Sequence, residues 1–139
     1  MKVKDIPFAD FINIQEEEQH LCLDQQEQLL NHLQTIHAGA QYTLAETQSG
    51  IYLQELFPHL ADKVIPVLRD AQIKYKKPAQ GKVFATASSS QEIQEKFLEQ
   101  FERKGRASIE VSVEIRDIND VVNAQASFTW FVQVLNKEG

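Results

Sequence analysis

Glu46 places a carboxylate in the middle of a helix rich in apolar residues, and such a group needs either a partner or a chemical task. From Ala38 to Phe57 the apolar residues Ala38, Ala40, Tyr42, Leu44, Ala45, Ile51, Tyr52, Leu53, Leu56 and Phe57 fall around most of the helix circumference, the pattern of a helix buried in a core. An ionised group left there unpaired is costly or takes up a proton. A carboxylate so placed can act as a general base or as a nucleophile. The competing reading is structural, with Glu46 accepting hydrogen bonds from a neighbouring turn. Tyr42 and Thr43 lie within one turn of it and are placed to tune its acidity.

Other chemistry-bearing residues are sparse. Cys22 is the only cysteine, which excludes an intramolecular disulfide. Within His20-Leu21-Cys22-Leu23 it reads as a packed small hydrophobe rather than a nucleophile. His20 and His32 read as surface residues, and His32 with His37 straddles a loop with no third ligand at motif spacing, so no metal site is expected. Asn31, just before the helix, suits a turn or cap. Lys74, Lys76, Lys77 and Lys82 cluster in a short stretch that reads, by default, as a solvated face.

The elements that must position these residues are legible in part. Ile109, Val111, Val113 and Ile115 alternate with polar neighbours, and Val122, Ala124, Ala126, Phe128, Trp130, Val132 and Val134 repeat the pattern after a turn at Asp117-Ile118-Asn119-Asp120. That is a strand hairpin with one buried face. Phe131 interrupts the polar side. A second hairpin is expected from Gln72 to Lys76 and Lys82 to Ala87, around Pro78-Ala79-Gln80-Gly81. Between the hairpins, Ser89-Ser90-Gln91-Glu92 fits a capping box, Ile93, Phe97 and Phe101 form an apolar stripe, and Lys104-Gly105 ends a surface helix. His59 to Asp70 reads as a short helix, with Leu60, Val64 and Leu68 four apart. Ile12 to Leu23 reads as a strand.

Length and composition bound the rest. The 139 residues, 42% of them hydrophobic, support one domain, 1–139, with a real core. No apolar run is long enough to span a membrane, and the start of the chain lacks an apolar signal region after its lysines. A cytoplasmic protein is the expectation. The formal charge of −6 argues against a nucleic-acid partner. One long apolar helix facing antiparallel strands is a two-layer α+β design.

Three strings carry a family resemblance: His37-Ala38-Gly39-Ala40 at the helix start, Leu44-Ala45-Glu46 within it, and Ile73-Lys74-Tyr75-Lys76-Lys77-Pro78-Ala79-Gln80-Gly81 downstream. From about Phe11 to Val134 the chain resembles the hotdog-fold acyl-CoA thioesterases, in particular the phenylacetate-degradation type and its thioesterase-like relatives. The resemblance implies a sheet wrapped around the helix and a homodimer, or a dimer of dimers, with active sites at the interface. Pairing would also protect an exposed sheet edge.

The resemblance also implies roles. Glu46, nine positions after His37, matches the catalytic carboxylate. Ala38 would offer its backbone N–H to the thioester carbonyl from a helix N-terminus, where free donors favour developing negative charge. Asn31, fifteen positions before Glu46, matches a further catalytic amide. His37, Gly39 and Tyr42 fall among substrate-binding positions, with His37 orienting rather than moving a proton. Gly50 stands where some members carry a Ser or Thr, and the adjacent Ser49 points about 100° away on a helix. Lys76 and Lys77 would contact the phosphates of coenzyme A. No cofactor is implied beyond the coenzyme A that belongs to the substrate. The expected activity is hydrolysis of an acyl-CoA thioester, with a non-catalytic acyl-thioester-binding or dimerisation module as the alternative. A hotdog dehydratase fits less well, because that family's histidine and aspartate–histidine patterns are absent. The motifs do not encode the acyl group.

Overall fold

Helix α2, Ala38–Leu56, is the axis of the molecule. The computed structural model describes residues 1–135. The helix starts at His37, whose Nδ1 accepts from the Gly39 N–H at 2.8 Å, and it stops before Pro58, which disfavours helical geometry in the residue preceding it. Its surroundings explain the all-round apolar pattern. It packs on β2 (His20–Leu23), β4 (Val83–Ser88), β5 (Arg106–Asp117) and β6 (Val122–Val134), and on the short helix α1 (Pro7–Phe11). Two polar side chains buried on it tie it to its neighbours: Gln48 Oε1 accepts from the Leu21 N–H at 2.8 Å, and Gln41 Nε2 donates to the Ile36 carbonyl at 3.0 Å.

The strands form one six-stranded sheet in the order β1-β2-β4-β5-β6-β3, antiparallel throughout, with β1 at Gln15–Glu17 and β3 at Val64–Tyr75. This is the hotdog arrangement, a curved sheet around one long helix. The β5–β6 hairpin forms as its alternation requires, with Ile109 opposite Trp130 and Val111 opposite Phe128. A register shift beside Arg116 inserts Asn123 as an extra residue, and its side chain turns inward to donate to the Pro78 carbonyl at 3.0 Å. Bulges of this kind re-aim a side chain. Helix α3, Gln91–Lys104, has Ser90 as its cap and Gly105 at φ 72° as its stop. The position three residues into the helix is Ile93, so the reciprocal capping box does not form. Phe97 and Phe101 are buried on the stripe, and Phe97 stacks on Phe57 with centroids 5.0 Å apart.

Three expectations are corrected. Gln72–Lys76 and Lys82–Ala87 do not pair: β3 lies at the sheet edge beside β6, and β4 lies between β2 and β5. The Pro78–Gly81 segment is a crossover between them, fastened by Ile36 N–H to the Ala79 carbonyl at 2.8 Å. His59–Asp70 is not a helix but a single 3₁₀ turn, Pro58–Leu60, followed by β3. Val64 and Leu68 satisfy helical spacing and strand alternation alike, and a bulge at Arg69 shifts the phase before Ala71 and Ile73, which blurs the period-2 signal. Ile12–Leu23 is the tight hairpin β1–β2, with Gln15 opposite Cys22 and Glu18 at φ 51° in the turn.

Candidate active site

The helix N-terminus presents one unused donor. His37 sits at φ −58°, ψ 140°; its carbonyl accepts from Ala40 and Gln41, and its ring accepts from Gly39. That leaves the Ala38 N–H without an acceptor among the described residues, the condition expected of a helix start that can bind an oxyanion. Gly39 is tight against the capping ring, since a Cβ there would lie 3.1 Å from His37 Nδ1. The Ala38 carbonyl accepts from the Tyr75 hydroxyl at 2.9 Å, so the end of β3 holds the turn in place.

A cleft of about 250 Å³ opens beside this turn, lined by Asn31, Ala38, Gln41, Tyr75, Lys76 and Lys77 among others. Two cations and a helix N-terminus give it an anion-favouring wall. Lys82 is elsewhere: it pairs with Glu17, which also accepts from the Cys22 thiol at 3.2 Å. Burial, and then the bond to Glu17, push that thiol up to about 12, so Cys22 is protonated and packed. Asn31 organises its own loop. Its Oδ1 accepts from the N–H groups of Leu33 and Thr35, and its Nδ2 donates to Thr35 Oγ1 at 2.8 Å. One amide hydrogen remains for a ligand.

Glu46 opens on a different cavity, of about 230 Å³, shared with Thr47, Gly50, Ile51, Gln54 and Trp130. The carboxylate is half-buried and accepts no hydrogen bond among the described residues, and burial raises its pKa above the ordinary value. A structural carboxylate would be bonded. Thr43 does not reach it, because its hydroxyl donates to the Gly39 carbonyl at 2.9 Å. Tyr42 packs edge-on to Phe128 with centroids 5.6 Å apart. Burial first, and then the Glu46 charge, raise the Tyr42 hydroxyl pKa.

Trp130 escaped the sequence reading, which took it as one more core residue on β6. Its indole N–H donates to Ser49 Oγ at 2.9 Å, and Ser49 Oγ donates to the Glu46 carbonyl at 2.7 Å. A Cβ on Gly50 would meet the indole at 3.3 Å, so the position that carries a hydroxyl in some hotdog enzymes is here covered by a ring. A buried tryptophan needs an acceptor, and a serine beside a glycine on the facing helix was the available signal.

A family model described as a domain of unknown function, DUF4442, matches residues 9–132. The chain belongs to the DUF4442 family. Solved structures of similar fold place this DUF4442 chain among hotdog proteins. A Pseudomonas aeruginosa protein of unknown function, described as a probable thioesterase, superposes with a TM-score of 0.79 at 19% identity over 96% of this chain and 91% of its own. A Bacillus halodurans protein crystallised with CoA gives 0.69 at 21% over 90% and 74%. A thioesterase of Staphylococcus aureus gives 0.68 at 15% over 91% and 98%. That protein was crystallised with a glutamine replaced by alanine and, separately, with a glutamate fifteen positions later replaced by alanine. No curated protein matches the sequence. At these identities the likeness is one of fold. No helix among the described residues is long and apolar enough to cross a membrane.

Proposed function

We propose that this DUF4442 protein hydrolyses acyl-CoA thioesters, with Glu46 as the general base and the Ala38 N–H as the oxyanion donor. The observation that carries this reading is Glu46 itself: a half-buried carboxylate without a hydrogen-bond partner among the described residues, at the mouth of an apolar cavity. Burial raises its proton affinity, which suits a base working near neutral pH. The fifteen-residue interval from Asn31 to Glu46 equals that between the two residues replaced in the staphylococcal thioesterase. The CoA held by the Bacillus halodurans protein supports the ligand class.

In the proposed reaction Glu46 takes a proton from water as its oxygen attacks the thioester carbonyl. The negative charge formed on the carbonyl oxygen is met by the Ala38 N–H. The C–S bond then breaks, the thiolate leaves, and Glu46 returns the proton. Lys76 and Lys77 stand beside Ala38 to meet the CoA phosphates.

Ala38 and Glu46 are eight residues, hence about 12 Å, apart along one helix, so one chain cannot offer both to one carbonyl. Two chains can. The sheet edges support a homodimer: β1 is a three-residue strand that contains Glu16 and Glu17 and is followed by Glu18, a blunted edge, whereas β3 runs twelve residues with Ile65 and Val67 51% and 47% exposed. A long edge with exposed apolar residues calls for a partner. Pairing two β3 edges would bring the Ala38 turn of one protomer toward Glu46 of its partner. Thiol release from a panel of acyl-CoAs tests the proposal. Binding of acyl-CoAs without thiol release from any of them would instead make the chain a binding module.

A further inference from the structure

The Glu46 cavity continues. A second cavity, of about 120 Å³, is lined by Leu53, Phe57, Val64, Phe97 and Val132, and both share Met1, Gln54 and Pro66. Together they make a groove between helix α2 and the β3–β6 end of the sheet, with Glu46 at one end and Phe57 at the other. Its walls beyond Glu46 are apolar apart from Thr47 and, at the junction of the two chambers, Gln54. Trp130 forms part of the wall of the Glu46 chamber, close against Gly50 and tied to Ser49.

We infer that this groove binds the acyl chain of the substrate, that it takes a straight chain of about twelve carbons, and that Trp130 and Gln54 set the selectivity. The inference rests on Glu46 being the base that activates the water attacking the thioester. Eleven residues of helix separate Glu46 from Phe57, about 16 Å of axial rise. An extended alkyl chain with bonds of about 1.5 Å and tetrahedral angles advances roughly 1.3 Å per carbon, so about twelve carbons fill the groove. An aryl or butyryl group would occupy only the first chamber and leave the Leu53–Phe57 end unfilled. Each methylene buried beyond Gln54 adds a few-fold to binding, and the chain-length preference follows.

Trp130 is the only tryptophan in the chain, so its fluorescence reports occupancy of the groove without any turnover. The experiment titrates the protein with butyl-CoA and dodecyl-CoA, thioethers that cannot be hydrolysed, and measures thiol release from the corresponding thioesters in parallel. Dodecyl-CoA should saturate a change in Trp130 emission at a concentration at least about 100-fold below butyl-CoA. Gln54→Phe, which closes the junction, should cut the dodecyl-to-butyl affinity ratio at least about tenfold, and Gln54→Leu, of similar size to the native side chain, should keep it. Saturable, length-dependent emission without thiol release would uphold the groove and remove the hydrolase reading. Thiol release that is indifferent to chain length, an emission unmoved by dodecyl-CoA, or a Gln54→Phe variant with the native ratio would each overturn the groove while leaving hydrolysis intact.

Discussion

Ala38 and Glu46 share one helix yet open onto separate clefts, one walled by Tyr75, Lys76 and Lys77 and the other by Gly50 and Trp130. A site that needs both must be assembled from two chains, and that separation governs the behaviour expected of variants.

Complementation follows directly. His37 already has the extended backbone tolerated before proline, and proline suits a first helical position, so Ala38→Pro removes the donor with the turn kept. Alone, it should lower turnover by roughly 100-fold to 1000-fold. Mixed after joint unfolding and refolding with Glu46→Gln, half the dimers carry one lesion per chain, and one of their two sites is intact. Activity should return to about a quarter of wild type for a two-fold dimer. A mixture no better than its components would place both groups within one chain's site.

The pH dependence has a defined sign. Burial raises the Glu46 carboxyl above its unfolded value, so the native state holds that proton more tightly. The stabilisation from the protonated form is complete below the unfolded value and is lost as pH rises through the folded one. Catalysis runs the other way, because only the carboxylate is a base: the acid limb of the kcat profile should fall above the ordinary glutamate range. Thermal melting and initial rates over one buffer series would show the two curves crossing in opposite directions.

Gly50 should resist restoration of the hydroxyl found elsewhere in the fold. In Gly50→Ser the new Cβ meets the indole at 3.3 Å, and displacing the ring strains its bond to Ser49. A loss of about 1–3 kcal/mol is expected, together with a changed Trp130 emission, both read from denaturant unfolding followed by fluorescence. Unchanged stability would show that Trp130 gives way freely.

How legible the sequence was depended on whether one period dominated. Helix α2 was readable from apolar residues spread around most of its circumference, and the β5–β6 hairpin from an alternation that holds from Ile109 to Ile115 and from Ala124 to Val134. Strand β3 was not, since Val64 and Leu68 satisfy two periods and Arg69 bulges between them. The distant pairing of β3 with β6 leaves no local mark, and Pro78-Ala79-Gln80-Gly81 has the chemistry of a hairpin turn while serving as a crossover. At the site, Glu46 stood out because a carboxylate is rare on a buried face. Trp130 did not, since it is apolar, in phase with its strand, and meaningful only once Ser49 and Gly50 are seen beneath it.

The most direct test is Glu46→Gln, measured for thiol release from dodecanoyl-CoA and for melting temperature at neutral pH. Glutamine keeps the shape and removes the base, so turnover should fall at least about 100-fold. With no hydrogen-bonded partner among the described residues and a half-buried charge removed, the melting temperature should equal or exceed that of wild type. A variant that melts well below wild type yet hydrolyses at the wild-type rate per folded molecule would contradict the assignment and make Glu46 a scaffold residue.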